Sequence, residues 1–174
     1  TLYGFARATN GQSQSNARMW VQLAKTDASG VWSAAPIPIQ TGSPNPSGGG
    51  NWFSVGREFP VAGGIDHSNG RYLFGGWGYY NSASNVMTIY EYDGSTITAL
   101  GKVTAANANT TNAAGAGDLV LDDDGNLYIV RGDGTGSAGR ITVTTVTHAA
   151  LEAARANPGI NNTISSVTSA AVEI

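Results

Sequence analysis

Twice in this 174-residue chain an apolar run breaks at an acidic turn carrying glycine and then resumes. GGIDHSNGRYLFGG spans 63–76 and GDLVLDDDGNLYIV spans 117–130. Asp suits such breaks because its side chain hydrogen-bonds the backbone just beyond it, and Gly suits them because it accepts positive φ. The aromatic and branched residues on either side suit a pleated surface. Two strands joined by so short a connection must run antiparallel. A further alternating segment follows each pair. After the first, Val86, Thr88, Tyr90 and Tyr92 oppose Met87, Ile89 and Glu91; after the second, Arg140–Val146 alternates in the same way. Stacked on one another, LYGF at 2, YLFG at 72 and LYIV at 127 are equivalent strands, and the segments beginning at 18, 86 and 140 are the strands that follow them. A meander recurring at about 55 to 70 residues predicts an all-β fold of four-stranded antiparallel units packed as propeller-like blades.

The central stretch is Arg71–Tyr92, read as two strands joined by a glycine- and aromatic-rich loop, with Gly75-Gly76 ending the first strand. Strands are also expected over Thr1–Ala8, Arg18–Lys25, Ser95–Val103, Asp118–Leu121 and Leu127–Val130, and in two short pieces of the C-terminal segment, Thr163–Val167 and Ala170–Ile174. Thr41–Gly50 and Thr104–Gly117 read as long loops, and Gly132–Gly139 as a glycine loop. The one helix expected is His148–Ala156, with Thr147 as its N-cap and Asn157-Pro158-Gly159 as its stop. Two to three meander units are short of the usual minimum of about four propeller blades. The chain is therefore expected to be a single β domain over 1–174, or a fragment or processed product of a larger propeller, completed by the remainder of that protein or by a second chain.

Composition narrows the function. Gly is 24 of 174, about twice the usual share. Charged residues are only 12%, and cysteine is absent, which removes disulfide and thiol chemistry. Lys and Arg together number 9 and lie scattered, so there is no basic face of the kind nucleic acid requires. No run of 18 apolar residues exists to enter a membrane.

The succession GG-I-D-x-x-x-G-x-Y-x-F-G-G, an apolar strand ending Tyr90-Glu91-Tyr92-Asp93, and then G-D-L-x-x-D-x-x-G-N-L-Y-x-V resembles secreted β-propeller repeats. It looks most like the propeller-like regions of cell-wall-anchored surface proteins of Gram-positive bacteria, actinobacteria especially, over residues 60–156 and more loosely 1–40. NHL propellers share the D-x-x-G-N-L-Y-V hairpin. Leu73-Phe74-Gly75-Gly76 also resembles a kelch repeat, although kelch needs a second double glycine where Arg131-Gly132 stands. The main resemblance implies an extracellular, surface-attached protein.

Few residues offer chemistry. Gly134-Thr135-Gly136-Ser137-Ala138-Gly139 matches G-x-G-x-x-G but leads into a strand, whereas a dinucleotide site needs a helix there. Asp122, Asp124 and Asn126 form a calcium candidate, the only cofactor in view, against the plainer reading of an Asp-Gly turn. Arg131-Gly132-Asp133 spells an integrin-type tripeptide at an expected loop start. Of the acids, Glu58, Asp66, Glu91 and Asp93 include material for a glycosidase pair, but no spacing selects two of them. His67 and His148 are the only histidines, and the G-x-S-x-G and H-E-x-x-H patterns are absent.

Trp77, Tyr79 and Tyr80, with Trp52 beside the 48–50 glycines, are the best binding candidates, because rings flanked by glycines offer stacking surface and polar tips. The alternative is that these rings fill the space between sheets. The resulting expectation is a non-enzymatic extracellular module that recognises a glycan or a protein through its loops. The alternative is a carbohydrate-active enzyme or lectin on a propeller scaffold.

Overall fold

The computed structural model describes residues 3–9, 19–34, 53–54, 58–78, 86–104, 117–135, 138–170 and 172–173. Among these residues the chain forms antiparallel sheets and one short helix, an all-β architecture. The N-terminal sheet holds β1 (Tyr3–Thr9), β2 (Met19–Thr26) and β3 (Trp32–Ala34) in that order, with β4 (Phe53–Ser54) also pairing β2. The middle sheet is a simple meander of β5 (Glu58–Asp66), β6 (Arg71–Gly78), β7 (Val86–Tyr92) and β8 (Ile97–Thr104). The C-terminal sheet runs β9 (Gly117–Leu121), β10 (Leu127–Thr135), β11 (Ala138–Val146) and β12 (Val167–Thr168), and β13 (Val172–Glu173) also pairs β11. Helix α1 (His148–Ala156) follows β11, and its cap is as expected: the Thr147 side chain accepts from the Ala150 N–H.

The middle sheet is buried on both faces. Along β7 every residue after Val86 is buried, which the strict alternation of its sequence does not require. One face carries Tyr72, Phe74 and Tyr90, whose rings stack with centroids 5.8 and 5.4 Å apart. Lys25 of β2 reaches this face, its Nζ 6.0 Å from the centre of the Tyr92 ring. The other face supplies Leu73, Met87 and Ile89 to the main core, where they meet Leu119, Leu127, Ile129 and Val146 of the C-terminal sheet and Leu151 of α1. The C-terminal sheet alternates instead. Leu127, Ile129 and Arg131 point inward, Tyr128 and Val130 are half-buried on the far side, and Val120 beside them is exposed.

Several expectations change. Gly75-Gly76 does not end β6, which continues to Gly78 with Gly75 facing Ile89 and Gly76 facing Thr88. A Cβ at Gly75 would lie 2.8 Å from Met87 Sδ and 2.9 Å from the Thr88 carbonyl, so Gly is there to let β7 approach. The Gly132–Gly139 loop is mostly strand: β10 and β11 pair out to Thr135 and Ala138, with Gly134 facing Gly139. β5 is a nine-residue strand despite Pro60, Gly63 and Gly64, with a register shift between Pro60 and Ala62. Gly64 allows β9 to run alongside β5, since a Cβ there would sit 3.1 Å from the Leu119 carbonyl. Among its described residues the C-terminal segment forms the short β12 and β13, and Thr163 makes an isolated parallel bridge to Lys102. The expected loop 41–50 and residues 105–116 of the second lie outside the described residues. No helix among the described residues is long and apolar enough to cross a membrane.

Candidate functional site

Among the described residues a dense polar cluster lies where β5 ends and β7 runs through the sheet, both reached by Arg155 of α1. Asp66, the last residue of β5, closes the turn to β6. Its Oδ1 accepts from the Ser68 N–H at 3.0 Å and from Ser68 Oγ at 2.5 Å. Its Oδ2 accepts from Asn69 Nδ2 at 2.9 Å and from Arg155 Nη2 at 2.7 Å. Glu91, the one acid of β7, sits between Leu73 and Thr98 in the ladder. Arg71 Nη1 donates to its Oε1 at 2.8 Å and Arg155 Nε to its Oε2 at 2.7 Å. Arg155 also donates from Nη1 to Glu152 Oε1 at 2.6 Å, one helical turn back. A single guanidinium on α1 therefore grips two carboxylates of the middle sheet. The side chains of Asp66, Glu91 and Arg155 are 1%, 5% and 7% exposed.

Burial pushes the Asp66 carboxyl up, but the bonds from Ser68 and Arg155 and the charge of Arg155 outweigh it and hold the pKa below its ordinary value. Burial likewise works against the charge on Arg155, and its bonds to Glu91 and Asp66 more than reverse this, raising its pKa. Asp66 has four donors on its two oxygens, so its acceptor capacity is filled. A general acid needs the opposite tuning, a carboxyl raised toward neutral pH. What this cluster does chemically is fasten α1 to the sheet. Beside it opens a cleft of about 580 Å³, lined by Ser68, Asn69, Arg71, His148, Glu152, Arg155 and Ala156.

A second polar centre is the Asp122 turn. Asp122 Oδ1 accepts from the Asn126 N–H at 2.8 Å, and its Oδ2 accepts from Asn126 Nδ2 and from the Tyr128 hydroxyl, each at 3.0 Å. The Asn126 side-chain bond is the main cause of a lowered Asp122 pKa, and the same carboxylate raises that of Tyr128. Asn126 Oδ1 in turn accepts from the N–H of His148, the first residue of α1. Gly125 has φ +79° and lies under the histidine, where a Cβ would come 2.5 Å from His148 Nδ1. Of the calcium candidates, then, Asp122 and Asn126 are brought together and use their oxygens on the turn and the helix start, while Asp124 stays exposed. Among the described residues no group of three or more His, Cys, Asp or Glu converges as a metal site.

The binding candidates fall differently. Trp77 is in β6, paired with Phe59 and Met87; Tyr79, Tyr80 and Trp52 lie outside the described residues. The tripeptide at 131–133 is not a loop. Its three residues pair in order with Thr142, Ile141 and Arg140, and Arg131 is 1% exposed, so it is not displayed for a receptor. Arg155 escaped the sequence reading. The available signal was a lone acid, Glu91, inside an apolar strand, together with an Arg in the last turn of the one helix expected from the sequence. Comparisons of the chain with protein-family models, with curated proteins and with solved structures each returned no match.

Proposed function

We propose that this chain is a non-enzymatic, extracellular binding or structural module of a bacterial surface adhesin, its meanders stacked like propeller blades and its loops recognising a glycan or a partner protein. The observation that carries the non-enzymatic reading is the engagement of Asp66 and Glu91 by Arg155: these buried acids meet in space and serve to hold the helix. The blade reading draws on β5 and β9, the first strands of successive meanders, lying side by side, and on a middle sheet covered on both faces. Recognition is assigned to Trp77, next to last in β6, and to Tyr79 and Tyr80 that follow the strand, together with Trp52.

The test is a glycan array and a panel of matrix proteins probed with the wild-type chain and with a Trp77→Ala/Tyr79→Ala/Tyr80→Ala variant. The expected outcome is binding without turnover, weakened in the variant by at least about 2 kcal/mol, the scale of an aromatic anchor, with thermal stability unchanged. Hydrolysis of a glycan, or binding indifferent to the three changes, would count against this reading. The cleft beside Arg155 favours the lectin alternative, since its polar lining suits sugar hydroxyls. Arg71→Ala and Glu152→Ala would then abolish sugar binding, while the aromatic variant retained it.

A further inference from the structure

Three hairpins of this chain share one register, and among the described residues one of them has no neighbour of the kind that flanks the other two. In β1–β2 Tyr3 faces Lys25, two residues ahead of Asp27. In β6–β7 Leu73 faces Glu91, two residues ahead of Asp93. In β10–β11 Tyr128 faces Thr145, two residues ahead of Thr147. The residue that ends each hairpin does the same work. Asp27 Oδ1 accepts from the N–H groups of Ser29 and Val31, Asp93 Oδ1 from those of Ser95 and Thr96, and Thr147 Oγ1 from that of Ala150.

The equivalence extends to the strand ahead of each hairpin. β6 is flanked by β5, with Ile65 opposite Tyr72 and Asp66 closing the turn. β10 is flanked by β9, with Leu121 opposite Leu127 and Asp122 closing the turn. β1 is paired with β2 on one side, and on the other no strand stands among the described residues. Its outer edge thus carries a row of backbone N–H and C=O groups with no ladder partner in the described sheet, which is a template for strand addition.

We propose that the outer edge of β1 receives an antiparallel strand of the β5 and β9 kind, an extended segment ending in an aliphatic residue and a turn-closing Asp, supplied by a further repeat of this class. A second copy of these residues is a poor donor, because its own β5 and β9 are already hydrogen-bonded within their sheets. The inference goes beyond loop recognition and stands or falls separately from it, since it is read from backbone protection and not from ligand binding.

The test adds a copy of residues 117–126 directly ahead of Leu2 and, separately, supplies the same decapeptide in solution to the unaltered chain. Amide hydrogen exchange is followed over residues 3–9. The added strand is expected to slow alternate β1 amides by about a hundredfold or more, the behaviour of amides taken into a sheet. A copy carrying Leu119→Pro and Leu121→Pro in the added segment is expected to leave them fast. Should the fused chain not fold, the free peptide at saturating concentration must give the same alternate pattern. Three results would overturn the proposal: equal β1 exchange with and without the strand while β6 and β10 remain protected, protection already complete in the unaltered chain, or equal protection by the proline copy.

Discussion

Arg155 shows how much one side chain can decide. It is nearly buried and satisfies two nearly buried carboxylates, so removing it leaves Asp66 without its cation and Glu91 with only the half-exposed Arg71. Loss of one partner from such a buried group costs about 3–5 kcal/mol, and Arg155→Met is expected to lower the urea-unfolding free energy by that amount. Glu152→Gln removes only a half-exposed partner and is expected to cost under about 1 kcal/mol in the same assay. Acid sensitivity follows from Asp66. Its folded pKa lies below the ordinary 3.8, so the native state holds fewer protons than the unfolded chain in the acid range. The stability it contributes is present above that ordinary value and is lost as pH falls through the lower, folded value. Asp93 and Asp122 are shifted in the same direction. Urea titrations over a series of acidic pH values should show stability falling with pH, and Asp66→Asn should flatten part of that slope.

Among the elements, α1, like β7, has bounds that the sequence foretold without error. A Thr cap, an alanine-rich body and an Asn-Pro-Gly stop are local signals, and a nine-residue helix needs no others to be recognised. Its energetics are less local. Leu151 is fully buried against strands of two sheets, so Leu151→Ala is expected to cost about 2–5 kcal/mol. Thr147→Ala, which loses only the cap, should cost about 1 kcal/mol, and thermal melts of the two variants should separate the contributions. By propensity alone β5 is unexpected, because Pro60, Gly63 and Gly64 all argue against a strand interior. They are tolerated there because a bulge follows Pro60 and because the absent Cβ at Gly64 admits β9. Those reasons come from neighbouring strands, and a propensity argument cannot reach them.

At the scale of the molecule, the segment after α1 ties two sheets together. The Lys102 N–H donates to the Asn162 carbonyl at 2.7 Å and the Ile164 N–H to the Lys102 carbonyl at 2.8 Å, so this segment covers the outer edge of β8. It then places β12 and β13 on the outer edge of β11 and buries Ile164 in the main core. Deleting 159–174 would uncover both edges and remove that core residue. The truncated chain is expected to lose at least the about 2–5 kcal/mol of a buried aliphatic side chain and to self-associate through its bared edges. Chemical denaturation and light scattering at matched concentrations check the two parts; a monomer of unchanged stability would contradict this role for the segment.

What the sequence by itself determined was local. Alternation marked the strands, Asp and Gly marked the turns at 66–70 and 122–125, and the caps marked the helix, because each of these preferences is set within a few residues. The likeness of LYGF, YLFG and LYIV even placed the three hairpins in correspondence. Only the tertiary structure decided which face of each sheet is covered, how far β5, β10 and β11 extend, and that Asp66, Glu91 and Arg155 meet. The contacts of Arg155 span 64 and 89 residues of chain. An isolated acid in a strand and an isolated arginine in a helix look like solvated charges until packing removes water from both, and only then does each require the other.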